Sequence, residues 1–116
     1  MRMAPGEPNG PPSAVTVYVG SKPTMTYVFQ VVAQLNSTLS PVVVKARGNA
    51  IAKAVDVVEV VRRRFLEGQV AVGPIAIGTE RLVNREGREA NVSSIGISLT
   101  RTGPLPPPGP PPAAPP

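Results

Sequence analysis

The chain has 116 residues and carries 12 Lys and Arg against 7 Asp and Glu, giving a net charge of +5 and a pI near 10.5. It contains no cysteine and no histidine, which excludes disulfide frameworks, thiolate metal sites and the usual histidine-based catalysis. The basic balance fits an anionic partner, although many basic proteins are simply soluble, so charge alone does not separate the two.

Proline marks the ends: four of the 16 prolines lie in residues 1–12 and nine in residues 103–116. The expected folded unit is therefore residues 13–102, between two Pro/Gly-rich disordered tails. A domain of that size builds a modest core and commonly gains burial by subunit pairing. No apolar run approaches the ~18 residues of a membrane span, and the opening MRMAPGEPNGPP lacks a hydrophobic middle. The expectation is a soluble, cytoplasmic protein without a membrane partner.

The first strand is predicted over 14–19, where Val15, Val17 and Val19 alternate with Thr16 and Tyr18 before Gly20. Pro23 suits the first position of a helix, and Met25, Val28, Phe29, Val32, Leu35 and Leu39 form its apolar stripe, ending near Leu39. Pro41 opens the run Val42, Val43 and Val44, which fits a strand covered on both faces and paired in parallel with the first through a right-handed crossover. Gly48 and Asn49 turn the chain into a second helix, in which Ile51, Ala54, Val55, Val58 and Phe65 follow helical spacing and Gly68 is the stop.

Two long strands follow, over 70–83 and 89–100, with Gly73-Pro74 predicting a bulge or edge position. Asn84-Arg85-Glu86-Gly87-Arg88 reads as the hairpin tip between them. The last proline tail contains LPPPGPPP, whose composition suits a partner's aromatic groove less well than an inert solvated tail.

A parallel strand-helix-strand unit places both strand ends and both helix starts along one sheet edge, the edge where such folds bind ligands. Lys22 belongs to the first turn there, and Lys45, Arg47, Asn49 and Lys53 to the second. Helix starts favour acids, yet the first turn after Asn49 contains none and Lys53 adds a cation. That combination suits a phosphate better than a row of ordinary solvated charges.

Arg85 and Arg88 at the hairpin tip, with Arg81 on the approach, form a second candidate. A two-stranded ribbon is slim enough for a DNA groove, and arginine favours narrow minor grooves; Glu86 and Glu89 partly offset the charge. Arg62, Arg63 and Arg64 are explained by the dipole of a helix end, with Glu59 positioned to pair with Arg63. Asp56 and Glu59 share a helical face but suit surface ion pairs better than a cation site, and no phosphate-loop or dinucleotide fingerprint is present. With only two Tyr, two Phe and no Trp, a module that reads single strands through several stacking rings is disfavoured.

The segments GSKPTMTYV from Gly20, KARGNAIAKAVDVVEVVRRRF from Lys45 and NREGREANVSSIGISL from Asn84 resemble the Alba chromatin proteins of archaea. The likeness runs from Val15 to about Arg101 and leaves the tails outside. It implies a small α/β two-layer sandwich of order β-α-β-α-β-β, similar to the C-terminal domain of translation initiation factor three. That fold has a mixed four-stranded sheet, two helices on one face and a long terminal hairpin.

The resemblance further implies a non-enzymatic, cofactor-free homodimer, or a heterodimer with a paralogue, that coats or bridges double-stranded DNA with little sequence preference and also binds RNA. By that likeness Lys22, Arg47 and Lys53 touch the backbone, Arg85 and Arg88 reach the minor groove, and Arg64 and Phe65 lie at a contact between neighbouring dimers. The spacing of Phe65 is equally consistent with core packing. Ser21 stands where the family often has an acetylated lysine, and Asn49 and Asn91 replace frequently cationic positions, implying fewer phosphate contacts.

Overall fold

A computed structural model describes residues 14–105; the first tail and all of the second beyond residue 105 lie outside these residues. Strand β1 (Val15–Tyr18) leads into helix α1 (Thr24–Leu35), strand β2 (Val42–Arg47) and, after a 3-10 turn at Gly48–Ala50, helix α2 (Ile51–Val60). A π-helical turn, Val61–Phe65, continues α2, and strands β3 (Val70–Val83) and β4 (Glu89–Arg101) close the domain. The sheet order is β1-β2-β4-β3, with β1 parallel to β2 and the other pairs antiparallel. The β-α-β-α-β-β order and mixed sheet are those expected.

Strand alternation sorts the core. Val17 and Val19 from β1, Val42, Val44 and Ala46 from β2, and Ile97 and Leu99 from β4 meet Tyr27, Val28, Val31 and Leu35 of α1 and Ala54, Val57, Val58 and Val61 of the second helix. Both helices therefore cover the same face. Val42, Val43 and Val44 are all fully buried, as a central strand flanked by β1 and β4 requires.

The helices differ from the expectation at their margins. α1 stops at Leu35, capped by Asn36, and Leu39 is left 61% exposed. Pro23 is the residue before the helix rather than its first member. The buried stripe is rotated toward Tyr27 and Val31, leaving Met25 and Phe29 exposed; α2 likewise buries Val57 and Val61 and exposes Val55. Both shifts follow from the packing partner, because each helix must face its neighbour helix as well as the sheet.

The bulge falls where Gly73-Pro74 predicts it: the β3 register against β4 shifts between Val72 and Ile75. Gly48 and Gly87 adopt positive φ, of 59° and 80°, at the two turns that carry candidate cations. That conformation costs an L-residue roughly 1–2 kcal/mol, so glycine shapes both turns.

Arg101 at the end of β4 is 9% exposed and donates to the Leu35 carbonyl, Asn36 Oδ1, Gln69 Oε1 and the Pro104 carbonyl at 3.0–3.2 Å. One guanidinium thus ties together the end of α1, the entry to β3 and the exit of the domain. Arg101→Leu should lower unfolding free energy by about 2–3 kcal/mol, since it strands buried acceptors. Arg101→Lys, lacking the planar fork, should recover less than half of that in urea titration; full recovery would mean that charge, not geometry, is what Arg101 supplies.

Candidate nucleic-acid interface

The first turn, Gly20 to Pro23, is held by two side chains. Tyr27, buried in α1, accepts a hydrogen bond at its hydroxyl from the Lys22 backbone N–H at 3.0 Å. Burial raises the Tyr27 pKa, but the Lys22 and Gly20 backbone amides and the Lys53 and Lys22 cations lower it, and the net shift is downward. The hydroxyl oxygen therefore sits in a locally positive setting.

Lys53, in α2, supplies the second clamp: its Nζ donates to the Lys22 carbonyl at 2.7 Å and to the Gly20 carbonyl at 3.1 Å. The first turn and the start of α2 are thereby in direct contact, so residues 31 positions apart in sequence share one edge. Lys22 projects from this turn into solvent. Lys53 combines its charge with a structural task that spacing alone did not reveal.

β2 contributes the remaining rim. Because Val42, Val44 and Ala46 point to the helices, Lys45 and Arg47 alternate to the helix-free face. Lys45 Nζ lies 5.7 Å from the centre of the Tyr18 ring on the adjacent strand. Arg47 Nη1 pairs with Glu80 Oε1 at 3.0 Å, reaching over β4 to β3. Asn49 is exposed in the 3-10 turn and its side chain caps no helix end.

Lys22, Lys45, Arg47, Asn49 and Lys53 thus lie along the edge formed by the two turns. Beside them lies an open groove of about 1090 Å³, bordered on the helix-free face by Tyr18, Lys45, Arg47, Ser94 and Gly96 and at the turns by Gly20, Ser21 and Ala50.

The arginines of the hairpin are elsewhere. From Ser94, opposite Arg47, the ladder continues to Glu89, placing Arg85 and Arg88 roughly 20 Å beyond the rim at ~3.4 Å per residue. Asn84 shapes the tip: its Oδ1 accepts from the Glu86 and Arg88 amides at 2.9 Å, and its carbonyl from Gly87. Arg85 and Arg88 are exposed there. Arg81 lies opposite Asn91, pairs with Glu89 at 3.5 Å and points to the ribbon face opposite Glu80.

The third basic cluster is internally compensated. Glu59 accepts from Arg62 at 2.6 Å and Arg63 at 2.7 Å, and the Arg63 and Arg62 hydrogen bonds hold its carboxyl pKa below the ordinary value. Next to it, Phe65 meets Phe29 edge to face at 5.8 Å, with both rings partly exposed, and Arg64 is exposed. Phe65 thus packs on α1 while keeping an outward surface.

Tyr27 and Glu80 complete the site and were not legible as part of it, because each acts through a hydrogen bond or ion pair that spacing does not show. Tyr27→Phe should cost about 1 kcal/mol of stability and speed hydrogen exchange at the Lys22 amide. Unchanged protection at Lys22 would show that Lys53 alone fixes the turn.

The Alba family model matches residues 15–79 of the chain. Alba from Thermoplasma volcanium is 44% identical, covers 74% of this chain and 99% of its own length, and superposes with a TM-score of 0.69. Alba1 from Trypanosoma brucei is 28% identical over 74% of this chain and 68% of its own, with a TM-score of 0.59. A family match across more than half the chain, joined to this likeness in sequence and fold, shows that the protein belongs to the Alba family.

Proposed function

We propose that the protein is a non-enzymatic architectural chromatin protein that binds double-stranded DNA with little sequence preference and coats or bridges duplexes as homodimers. Membership of the Alba family supports nucleic-acid-binding, architectural work in general. The observation that carries the finer reading is the Lys53 bridge, which ties the first turn to α2 and so brings Lys22 and Lys53 to the sheet edge where β2 ends with Lys45 and Arg47. Cations gathered there suit phosphates rather than base edges, so recognition is by charge and shape.

In this reading the rim holds the backbone, and Arg85 and Arg88 extend roughly 20 Å further along the ribbon to a minor groove. The domain of residues 13–102 is the binding unit, and the protein works on the chromosome. RNA phosphates fit the same rim. Titrating duplex DNA, duplex RNA and structured RNA in one buffer decides which polymer it prefers.

Dimerisation draws on β3. Val72, Ile75 and Ile77 share its helix-side face and are 40%, 55% and 81% exposed, and among the described residues β3 is an edge strand with no neighbour on one side. An exposed apolar edge invites pairing, and a second copy buries it. Ile77→Asp should convert dimers to monomers in sedimentation equilibrium; an unchanged mass would move the interface elsewhere.

The Arg47–Glu80 pair sets the test of the rim. Both side chains are substantially exposed, so the pair is weak and a phosphate must displace Glu80 to engage Arg47. Glu80→Gln should raise duplex affinity about two- to fivefold. Alanine at Lys22, Arg47 and Lys53 together should weaken binding to all sequences alike and flatten the slope of log affinity against log salt by about 0.9 per lost phosphate contact. A salt-independent affinity, or a preference for one short sequence, would contradict the reading.

A further inference from the structure

We propose that the groove on the helix-free face takes an unpaired nucleobase, stacked on Tyr18, with its flanking phosphate on the basic rim. This deepens the proposed function and rests on it, because the rim supplies the backbone contact.

The burial of Val17 against the helices turns Tyr18 outward, where it is 69% exposed. A tyrosine usually gains its stability from buried ring area, and this ring buries little. Tyr18 sits on β1, the sheet edge opposite β3, so among the described residues no strand lies beyond it. Lys45, its register partner on β2, places Nζ 5.7 Å from the ring centre. That contact steadies a ring that stays largely open to solvent.

Gly96 pairs with Lys45 and Ala76 with Gly96, while Ser94 pairs with Arg47 and Gly78 with Ser94. Positions on β4 and β3 beside Lys45 and Arg47 therefore carry small side chains, the exposed Arg47–Glu80 pair borders the same groove, and its volume of about 1090 Å³ is open to solvent. Ser21 and Gly20 of the first turn line the same groove, so the ring and the proposed phosphate contacts are neighbours. Hydroxyls of Ser21 and Ser94 offer adaptable hydrogen bonds, and a single stacking ring tolerates any base, because every base has a π-face.

In a continuous duplex the bases are stacked on each other, so Tyr18 gains nothing there. In a bulge, loop or single strand an exposed base adds ring contact to the phosphate attraction. The ring therefore separates unpaired from paired nucleic acid on a surface whose charge treats them alike.

The experiment uses the full chain and three fluorescent probes, each as DNA and as RNA: a perfect duplex, the same duplex with one bulged nucleotide, and a single strand. Tyr18→Ser should lose about 5- to 100-fold in affinity for the bulged and single-stranded probes, with duplex affinity unchanged. Tyr18→Phe should bind all probes like the parent. A fluorescent base analogue at the bulge should lose intensity on binding the parent and not the Tyr18→Ser chain. An equal loss on all probes, or none on the bulge, overturns the inference while leaving the duplex reading intact. Failure of the parent to bind any probe overturns both. The DNA and RNA arms show which sugar the unpaired base carries.

Discussion

The parallel pairing of β1 with β2 is the constraint on which the surface depends. Val15, Thr16, Val17 and Tyr18 align with Val42, Val43, Val44 and Lys45, and the Val19 amide extends the ladder to the Lys45 carbonyl at 2.8 Å. Parallel strands end at the same sheet edge, so the turns after β1 and β2 are neighbours although α1 separates them in sequence. An antiparallel pairing of the same segments would send Lys22 and Arg47 to opposite ends. The run of valines thus decides where the charges lie, through backbone hydrogen bonds and apolar packing rather than attraction between charges.

Lys53 converts that adjacency into a fixed geometry. Its ammonium bonds the Gly20 and Lys22 carbonyls, while Tyr27 holds the Lys22 amide. The turn backbone is therefore held on both sides, and the Lys22 side chain needs no further ordering of the loop that carries it. Rigidity of this kind lowers the entropic cost of engaging a polyanion. It also gives a reason for a lysine near the start of α2, where the helix dipole disfavours it: two carbonyl acceptors offset the unfavourable position.

Much of the fold was legible because its signals are local. Val42 to Val44, the Gly73-Pro74 bulge and the Asn84–Arg88 tip each carry their structure in adjacent residues, and the structure agrees on all three. The faces of the helices were less legible. Met25, Phe29 and Val55 satisfy helical spacing yet stay exposed, since spacing gives an apolar stripe but not the angle at which a neighbouring helix meets it. The candidate site divides in the same way. Positions at strand ends place Lys22, Lys45 and Arg47 by topology, whereas Glu80 reaches Arg47 over a whole strand and Arg101 gathers four acceptors from three segments. Tertiary partners of that kind leave no pattern in sequence.

The ion pairs around the rim carry a further consequence. Arg47 is opposed by Glu80, Arg81 by Glu89, and Arg62 and Arg63 by Glu59, whereas Lys22, Arg85 and Arg88 project from turns. Exposed pairs are worth little in water and are easily exchanged, so each paired arginine can change partner from carboxylate to phosphate at small cost. A net charge of +5 then attracts a polyanion from a distance, while the carboxylates moderate how tightly it is held. A surface built in this way favours rapid and reversible contact with a polyanion over a single tight complex.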